Sequence, residues 1–389
     1  RLILDREMYE LTQEDFNLMV ESVIDETVEE YLGLVKNANL KLDELNHVLL
    51  IGGSCRIPYV RDLLEARLTK PLFHIQEPDL AVCQGAVFFA SGTTANRVVK
   101  TTRDGKSKSN QVGGTTTNKI KTNVKTKIIG LDFSHGKTAL HWVWDYGRDS
   151  SGQLPESIKV TGQPESFITA IAYKDDKVVA IGEKAFTESK SLRIDICFKT
   201  KLDKATQKII KDYVKYIYDD LVRTKSINPN QDHQILFYVG HPSGWEEESF
   251  NLYQEILAEV LPNVKVAPES RAGLMSVIKT NQVTLEKLGK SVLVIDIGSS
   301  TTDFTLVGNQ PFRHFQKRFS NPEHAVLKSA FLERSFEEAG ADLGGALIDE
   351  AIYEQSLDKL QQELEAAKEA KQRMENMEAQ KEDKDEDSK

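Results

Sequence analysis

The spacing of apolar residues predicts that the first part of the chain folds as helices around one buried strand. Residues 14–36 repeat apolar side chains at intervals of three and four, the period of an amphipathic helix: Phe16, Met19, Val20, Val23, Ile24, Val28, Tyr31 and Leu32. The continuous apolar run His47–Ile51 predicts a buried strand that ends at glycines. Helices over residues 57–68 and 79–91 are expected to follow.

The same patterns return after residue 126 and predict a second part that is richer in strands. Apolar runs indicate strands over residues 127–132, 138–144, 234–239, 291–297 and 302–307. Helical periods cover residues 204–223, 246–260 and 354–376, and helices are expected to dominate from residue 308 to the end. Strands that alternate with helices favour an α/β fold.

Composition changes sharply between these two parts. Residues 93–126 are rich in Thr, Ser, Asn, Gly and Lys, and Asp104 is their single acidic residue. This composition is typical of a flexible, basic, solvated linker, with a binding site for an acidic partner as the alternative. The predicted organisation is therefore a first part at 1–92, the linker at 93–126, a second part at 127–374, and a charged, disordered tail at 375–389.

Charge and cysteine content narrow the class of protein. The net charge of −10 over 389 residues argues against a general nucleic-acid binder. No apolar run approaches the roughly 18 residues of a membrane span, and no signal peptide follows Arg1. Cys55, Cys83 and Cys197 lack metal-ligand spacing, and so sparse a set suits a reducing cytosol. We therefore expect a cytoplasmic protein without nucleic-acid or membrane partners.

Two segments share one design: an apolar strand with Asp at its end, then small or hydroxyl residues, then a second strand. They are Ile129–Thr138 with Asp132, and Val292–Asp303 with Asp296. Small residues let backbone N–H groups approach phosphate oxygens, and Asp at a strand end can hold a hydrated Mg²⁺. Each segment taken alone is also compatible with an ordinary tight turn.

A third segment, Val48–Pro58, places a glycine pair directly after the buried strand. Gly52 and Gly53 let a flat ligand approach the backbone closely, and the Arg56 guanidinium can stack on a purine. Taken alone, this segment is also compatible with a simple helix entry, since Pro58 suits the first turn of a helix.

Together the three segments resemble the phosphate-1, phosphate-2 and adenosine motifs of the actin-like ATPase superfamily. The string Leu49–Leu64 is most similar to the nucleotide-binding domain of DnaK-type seventy-kilodalton heat-shock chaperones. Further segments resemble other parts of that domain: Glu77–Ala86, Pro268–Ala272, Leu343–Gly345 and Leu364–Lys368. The resemblance implies an actin-like α/β fold with two lobes, each built on a mixed, ribonuclease-H-like sheet with flanking helices, and ATP between them.

The resemblance also implies roles, position by position. The residues that would carry catalysis are Asp132, Lys199, Glu269, Asp296 and Thr301. Those expected to hold Mg²⁺ through water, or a K⁺ ion, are Asp132, Asp296 and Asp303. Those expected around ATP or ADP are Gly52, Gly53, Ser54, Arg56, Asp79, Ser134, His135, Gly136, Gly298, Ser299, Ser300, Gly344, Gly345, Glu365 and Lys368. Plain solvated charges remain the alternative for Lys199, Glu365 and Lys368.

The first phosphate loop departs from the family pattern. Both threonines expected after Asp132 are replaced, and the loop reads Ser134-His135-Gly136. Gly136 still permits a backbone cradle, but His135 is bulky, so the hydrolysis rate is more in doubt than nucleotide binding. A solvent-facing turn residue is the alternative interpretation of His135.

The motifs stand in rotated order. The adenosine segment precedes phosphate 1, and the helix at 354–376 would belong just before residue 1. Residues 1–92 then resemble the C-terminal part of such a domain, and residues 127–374 its N-terminal part. One hypothesis is a circular permutant with a single site formed from both chain ends. The other is a fragment of a tandem array, favoured by Arg1 in place of Met and by the tail.

The resemblance implies an ATP-binding switch whose slow hydrolysis drives lobe closure. The first alternative is a non-catalytic, nucleotide-gated scaffold, which the altered phosphate loop favours. The second is a phosphotransferase such as a sugar kinase, which the string Gly52–Pro58 argues against. Client proteins or co-chaperones would bind through regions outside this chain.

Overall fold

Mixed β-sheets with helices packed against them make up the described part of the molecule. The computed structural model describes residues 2–4, 7–9, 12–37, 41–68, 70, 72–94, 126–145, 153–187, 192–199, 202–230, 235–283, 291–308 and 335–341. The helices are α1 Gln13–Asn37, α2 Pro58–Leu68, α3 Ala81–Thr94, α4 Lys184–Thr187, α5 Lys204–Arg223, α6 Glu247–Ala258 and α7 Glu269–Lys279.

Sixteen strands accompany these helices in the described residues. In the first part of the chain they are β1 Leu2–Leu4, β2 Glu7–Tyr9, β3 His47–Ile51 and β4 Leu72–His74. In the second part they are β5 Thr126–Phe133, β6 Lys137–Asp145, β7 Glu156–Ser157, β8 Ser166–Ile168, β9 Ala170–Lys174, β10 Lys177–Ile181, β11 Arg193–Ile196, β12 Ile235–His241, β13 Val264–Pro268, β14 Ser291–Ile297, β15 Thr302–Gly308 and β16 Ser335–Ala341.

The first sheet has the order β13-β12-β5-β6, with β7 and β8 both paired to β6. Strands β5 and β6 form an antiparallel hairpin in which Asp132 pairs with Ala139. Strand β12 runs parallel to β5, and β13 runs parallel to β12. Strands β5 and β12 are buried along their whole length, which is typical of parallel strands covered on both faces.

The second sheet repeats this plan with strands from both parts of the chain. Its order is β16-β15-β14-β3-β4, with β14, β15 and β16 antiparallel. Strand β3 runs parallel to β14, with Ile51 paired to Asp296, and β4 runs parallel to β3. In each sheet, antiparallel strands are extended by two parallel ones. The predicted two-lobed, ribonuclease-H-like α/β fold is therefore confirmed.

Helix α3 packs against α7 and against strands of the first sheet, and α7 packs against strands of both sheets. The helices approach closely because Gly85 of α3 lies directly against the backbone of Ala272 in α7. A single buried cluster includes Leu49 of β3, Ile128 of β5 and Leu274 of α7. The two lobes therefore share one hydrophobic core beneath the carboxyl ends of their central strands.

The outer helices cover the remaining faces of the sheets. Helices α5 and α6 pack on the first sheet, and α1 and α2 pack on the second. Asp203 caps α5 by accepting hydrogen bonds from the backbone N–H groups of Ala205 and Thr206. A three-stranded sheet, β10-β9-β11, and the hairpin β1-β2 complete the described strands. Among the described residues, no helix combines the length and apolarity needed to cross a bilayer.

Most predicted elements are present, and β3, β14 and α5 match their predicted bounds residue for residue. Helix α3 continues to Thr94, two residues into the predicted linker. The expectation that helices dominate after residue 308 is wrong at β16, whose residues lack a strand's alternation and pair with β15. The predicted helix at 354–376, the tail at 375–389 and most of the linker lie outside the described residues.

Candidate functional site

Three loops meet where the central strands of the two sheets end. They are Ser134–Gly136 after β5, called the first loop; Gly298–Thr301 after β14, the second loop; and Gly52–Ser54 after β3, the glycine turn. They line a cleft with a cavity of about 360 Å³. Ligand pockets typically measure roughly 300–1,000 Å³. The charged side chains that also line the cleft are Asp79, Asp132, Lys137, Lys199, Glu269, Asp296 and Asp303.

The glycine turn lies directly against the second loop. Gly52 has a positive φ of 88°, and its α-carbon faces the Ile297 carbonyl and the Asp296 carboxylate without room for a side chain. Its N–H donates to the Pro78 carbonyl at 3.1 Å. The Ser54 hydroxyl donates to the Gly298 carbonyl at 2.9 Å. Hydrogen bonding and backbone packing thus join the two parts of the chain at the cleft.

The first loop is a tight turn that brings its hydroxyl and glycine to the cleft. The Ser134 N–H donates to the Lys137 carbonyl at 3.0 Å, and the Ser134 hydroxyl donates to Asp132 Oδ1 at 2.6 Å. A β-carbon on Gly136 would lie 2.7 Å from Ser299 of the second loop. The two loops therefore face each other across a narrow gap.

His135, in the middle of the first loop, is buried at 8% exposure. The solvent-facing alternative for this residue is therefore wrong. Burial, and secondarily the positive charge of Lys199, lower the pKa of His135 below its ordinary value. The imidazole is accordingly neutral at pH 7.

Four carboxylates are buried around the cleft: Asp132, Asp296, Asp303 and Glu269. Burial, and next the negative charge of Glu269, raise the pKa of Asp132 to about 7 and that of Asp303 to about 7. The same causes raise the pKa of Asp296 well above its ordinary value. The site therefore holds excess negative charge that a cation would neutralise.

Lys199 is the buried cation of this group. It is 4% exposed, and its Nζ donates to Glu269 Oε1 at 2.8 Å and to the Gly240 carbonyl at 2.9 Å. The solvated alternative for Lys199 is therefore wrong. A single lysine among four carboxylates leaves most of their charge unbalanced, which makes the cleft a site for a cationic or cation-bearing ligand.

A hydrated cation fits this donor set. Among the described residues, no three His, Cys, Asp or Glu side chains converge closely enough to hold a metal ion directly. Mg²⁺ usually keeps several waters and takes only one or two carboxylates together with phosphate oxygens. Asp132, Asp296 and Asp303 line the cleft and are the carboxylates available to such an ion.

The second loop is closed by its own hydrogen bonds. The Gly298 N–H donates to the Thr301 carbonyl at 2.9 Å, and the Thr301 hydroxyl donates to Asp303 Oδ2 at 3.0 Å. The other Asp303 oxygen, Oδ1, accepts from the Gly244 N–H at 2.9 Å. Asp303 is thus fixed in orientation, and Thr301 and Ser300 line the cleft beside it.

Arg56 is the predicted site residue that lies away from the cleft. Its Nε donates to Asp79 Oδ1 at 3.1 Å, and its side chain is 54% exposed. It lines a smaller neighbouring cavity of about 240 Å³ together with Cys55 and Arg61. Asp79 itself lines the main cleft, so Arg56 contacts the site through Asp79. The predicted residues Gly344, Gly345, Glu365 and Lys368 lie outside the described part of the chain.

Several cleft residues were not foreseen from the sequence: Phe16, Ile57, Pro78, Val82, Lys137, Pro242 and Trp245. Phe16 was assigned to the buried face of its helix, because its spacing fits that face. Ile57 lies three residues after the glycine turn and inside the segment Val48–Pro58, so the resemblance of that segment was the available signal. Pro78 and Val82 lie inside Glu77–Ala86 and Lys137 lies inside Ile129–Thr138, so the resemblance of those segments was the available signal. Pro242 and Trp245 carry no local pattern that distinguishes them from core or surface residues.

Comparison with known proteins identifies one segment by sequence. Residues 5–104 match the family model of the Hsp70 protein family. The chaperone protein DnaK of Mycoplasma mobile is 39% identical over 77 residues, which are 20% of this chain and 13% of that protein. The mitochondrial-type heat shock protein 70 of Encephalitozoon hellem is 34% identical over 82 residues, again 20% and 13%. The chain therefore carries an Hsp70-type segment but spans only a small fraction of these relatives.

Solved structures of actin-like proteins are similar to this chain with much lower sequence identity. The MamK double helical filament is 14% identical with a TM-score of 0.33, over 55% of this chain and 54% of that chain. MreB 5 of Spiroplasma citri bound to AMPPNP is 16% identical with a TM-score of 0.33, over 61% and 78%. TM-scores this low do not by themselves establish a common fold.

Proposed function

We propose that this chain binds Mg²⁺-ATP in the cleft between its lobes and hydrolyses it slowly, as a nucleotide-driven switch. The observation that carries the proposal is the convergence of both loops, the glycine turn and the buried carboxylates on one cavity. The Hsp70-type match supports adenosine binding at one side of the cleft, because the matched residues 5–104 include the glycine turn and Asp79.

The two loops bind the phosphates in this proposal. Gly136 and Gly298 carry no side chain that would block the approach of phosphate oxygens, and the hydroxyls of Ser299 and Ser300 add donors. The Ser134 hydroxyl already donates to Asp132 and orients that carboxylate. The glycine turn and Asp79 bind the adenosine. Arg56, whose guanidinium is hydrogen-bonded to Asp79, lies at the edge of the adenosine-binding side. Gly344, Gly345, Glu365 and Lys368 remain proposed contacts from the rest of the chain.

The buried charges position the reacting groups. Asp132, Asp296 and Asp303 would hold Mg²⁺ through its waters, with K⁺ as a further candidate ion, and the bound ion would supply positive charge at the phosphates. Lys199 stabilises negative charge that develops on the terminal phosphate. Glu269, held through Oε1 by Lys199, orients the attacking water with its other oxygen. Such a site acts mainly through positioning and electrostatics.

In this proposal both parts of one chain contribute to a single site, although its motifs stand in rotated order. The parallel pairing of β3 with β14, and the Ser54 to Gly298 hydrogen bond, support this arrangement. It corresponds to a circularly permuted domain. A fragment of a tandem array would instead place these strands in different copies, and the two arrangements differ in how many chains one nucleotide contacts.

The ATPase activity is tested by single-turnover hydrolysis at saturating Mg²⁺-ATP. Lys199→Ala is expected to lower the rate at least about 100-fold, because it removes a buried cation beside the transferred group. Lys137→Ala is the matched control, since Lys137 also lines the cleft but is 55% exposed at its side chain. A wild-type rate no higher than that of Lys199→Ala contradicts the ATPase proposal.

A non-catalytic, nucleotide-gated scaffold is the second candidate function. The observation that favours it is the first loop, in which His135 stands where the resemblance expects threonine. Saturable Mg²⁺-ATP binding without turnover above the Lys199→Ala background supports this candidate. Binding of ATP accompanied by measurable turnover excludes it.

A chaperone role is proposed on the partial match alone. The named relatives are heat-shock chaperones, and the matched region covers 13% of their length. Client proteins and co-chaperones are accordingly proposed partners, reached through nucleotide-dependent movement of the lobes. A change in protease sensitivity of the complete chain between ADP and ATP would demonstrate such movement, and identical digestion patterns would contradict it.

A further inference from the structure

A second cavity lies beside the cleft and carries the opposite charge. It measures about 240 Å³, and Arg56 and Arg61 line it. Among the described residues, no acidic side chain lines this cavity, whereas buried carboxylates line the cleft. We call it the arginine cavity; its remaining lining residues are Leu50, Cys55, Ile75, Gln76 and Pro78. The two cavities therefore favour ligands of different charge.

Arg61, in helix α2, is the unpaired cation of the arginine cavity. Its Nε is buried without a hydrogen-bond partner, and the described part of the chain offers its guanidinium no ion pair. Arg67, later in the same helix, is instead paired with Asp25 and Glu21 of α1. A charged group that is withdrawn from water without a partner is costly. Because the guanidinium charge is delocalised, an anion that contacts the part of Arg61 lining the cavity would offset this cost.

Arg56 supplies the second guanidinium group. Its Nε and Nη2 donate to Asp79 Oδ1, and a guanidinium carries five N–H donors in all, so donors remain for a ligand. The Arg56 side chain is 54% exposed. Asp79 lines the cleft and not the arginine cavity, so the Arg56–Asp79 pair lies between the two cavities.

Two neighbouring guanidinium groups select a tetrahedral oxyanion. A carboxylate uses both of its oxygens when it pairs with one guanidinium in bidentate fashion, whereas a phosphate keeps further oxygens for the second guanidinium. Leu50, Ile75 and Pro78 add an apolar wall, which suits a short organic group attached to the phosphate.

We propose that the arginine cavity binds a phosphate dianion between Arg56 and Arg61, either as the free ion or as the phosphoryl group of a small phosphate monoester. Arg61 binds it through its unpaired guanidinium, and Arg56 binds it through the donors that Asp79 does not use. This site needs no nucleotide in the cleft, so it can be tested separately from the proposed function.

Isothermal titration calorimetry of the complete, nucleotide-free chain with inorganic phosphate tests the site. Divalent cations are removed with a chelator, because the carboxylates of the cleft then repel a free anion. Phosphate is expected to bind with a Kd in roughly the millimolar range or tighter, which two hydrogen bonds between charged groups supply. Arg61→Gln is expected to weaken this binding roughly tenfold, the effect of one such bond.

Arg67→Gln is the matched control, because it removes the same charge from the same helix but from a side chain that is paired with α1. It is expected to leave the Kd for phosphate within about twofold of the wild-type value. Arg61→Lys keeps the charge but loses the planar fork of donors, so it is expected to weaken binding about threefold. Melting followed by circular dichroism shows whether each variant is folded.

Acetate and phenyl phosphate define the ligand. At the same ionic strength, acetate is expected to bind at least about tenfold more weakly than inorganic phosphate. Phenyl phosphate that binds more tightly than inorganic phosphate identifies an organic monoester as the ligand, and the reverse order identifies the free ion.

Absence of saturable phosphate binding overturns the proposal, as does a loss of affinity in Arg61→Gln no larger than in Arg67→Gln. An Arg61→Lys variant that binds phosphate as the wild-type chain does also overturns it, and this variant decides the question if Arg61→Gln does not fold. Acetate that binds as tightly as phosphate contradicts the assignment to phosphate. None of these outcomes bears on the proposed function, because the titrations contain neither nucleotide nor Mg²⁺.

Discussion

The buried carboxylates give the site its chemistry and also destabilise the unliganded protein. Asp132, Asp296 and Asp303 line the same cavity as Glu269, and Lys199 is hydrogen-bonded to Glu269 alone among these acids. Removing charge from water without full compensation is costly, so these side chains favour protonation when no cation is bound. Stability and ligand binding are therefore coupled through this cluster.

This coupling predicts an unusual dependence of stability on pH in the metal-free protein. The folded pKa values of Asp132 and Asp303 are about 7, well above those of an unfolded chain. The folded state therefore binds more protons, and the stabilisation is present at low pH and is lost as pH rises through about 7. From pH 5.5 to pH 8 the melting temperature should fall by at least about 2–4 °C, the shift that 1 kcal/mol produces in a medium-sized domain.

The control for this prediction is Asp296→Asn, which removes one buried charge while nearly preserving shape. It should flatten the fall in melting temperature and also abolish the stabilisation that Mg²⁺-ATP gives to the wild-type chain. Scanning calorimetry at constant ionic strength measures both effects. A wild-type melting temperature that rises over this range, or a variant that falls as steeply, contradicts the assignment.

Position 52 requires glycine, both because of its backbone conformation and because of the atoms that surround it. Its φ is 88°, and a β-carbon would overlap the Ile297 carbonyl and the Asp296 carboxylate. Gly52→Ala should therefore cost about 2–4 kcal/mol of unfolding free energy. Gly53→Ala is the matched control, because open space surrounds its β-carbon position, and it should cost less than about 0.5 kcal/mol. Similar urea midpoints for the two variants would show that the glycine turn does not pack as described.

At the residue scale, the positions of the charged side chains were predictable, but their orientations were not. Asp132 and Asp296 were identified because each lies at the end of an apolar strand that leads into small or hydroxyl residues. Arg56 was expected to stack on a purine, yet its guanidinium contacts Asp79, a residue that only the fold brings near. Phe16 shows the same limit, since helical periodicity does not distinguish a core position from a cleft wall.

At the element scale, the crossing of α3 and α7 is what brings the two lobes together. Gly85 lies against the Ala272 backbone, and Gly273 lies against Ile51 of β3. Helix α3 belongs to the first part of the chain and α7 to the second, so their contact joins the same parts as the β3–β14 pairing. Small residues are needed here because any β-carbon would separate the helices.

Gly85→Ala tests this crossing. Alanine is the better helix former by about 1 kcal/mol, yet the new methyl group should force the helices apart and give a net loss of about 1–3 kcal/mol. The comparison is Gly33→Ala in α1, where nothing surrounds the β-carbon position, and which should gain about 1 kcal/mol. Urea unfolding followed by circular dichroism measures both. Stabilisation by Gly85→Ala similar to that of Gly33→Ala would mean that the crossing is looser than described.

Elements with a strong local pattern were predicted to the residue, and those held by distant pairing were not. Strands β3 and β14 are continuous apolar runs, and α5 has a clear helical period with an Asp203 cap. Strand β16 reads Ser-Phe-Glu-Glu-Ala-Gly-Ala, which has no alternation, and it forms a strand because β15 offers an edge. The short strands β7 and β8 are likewise held by their pairing with β6.

At the scale of the whole molecule, the two sheets have the same topology although the chain enters them differently. The first sheet is built in order from residues 126–268, whereas the second takes β14, β15 and β16 from the second part and β3 and β4 from the first. The rotated order of the motifs stays a prediction from the resemblance. That both parts enter one sheet could not be predicted from the sequence, because parallel pairing between distant segments leaves no local signal.

The central claim is that one chain forms one nucleotide site from both of its parts. A crystal structure of the complete chain with Mg²⁺ and a non-hydrolysable ATP analogue tests it most directly. The account predicts one nucleotide per chain, with its phosphates between Ser134–Gly136 and Gly298–Thr301 and its adenosine at Gly52–Ser54 of that same chain. A nucleotide that contacts the glycine turn of a neighbouring chain, or that contacts no part of residues 1–92, would contradict it.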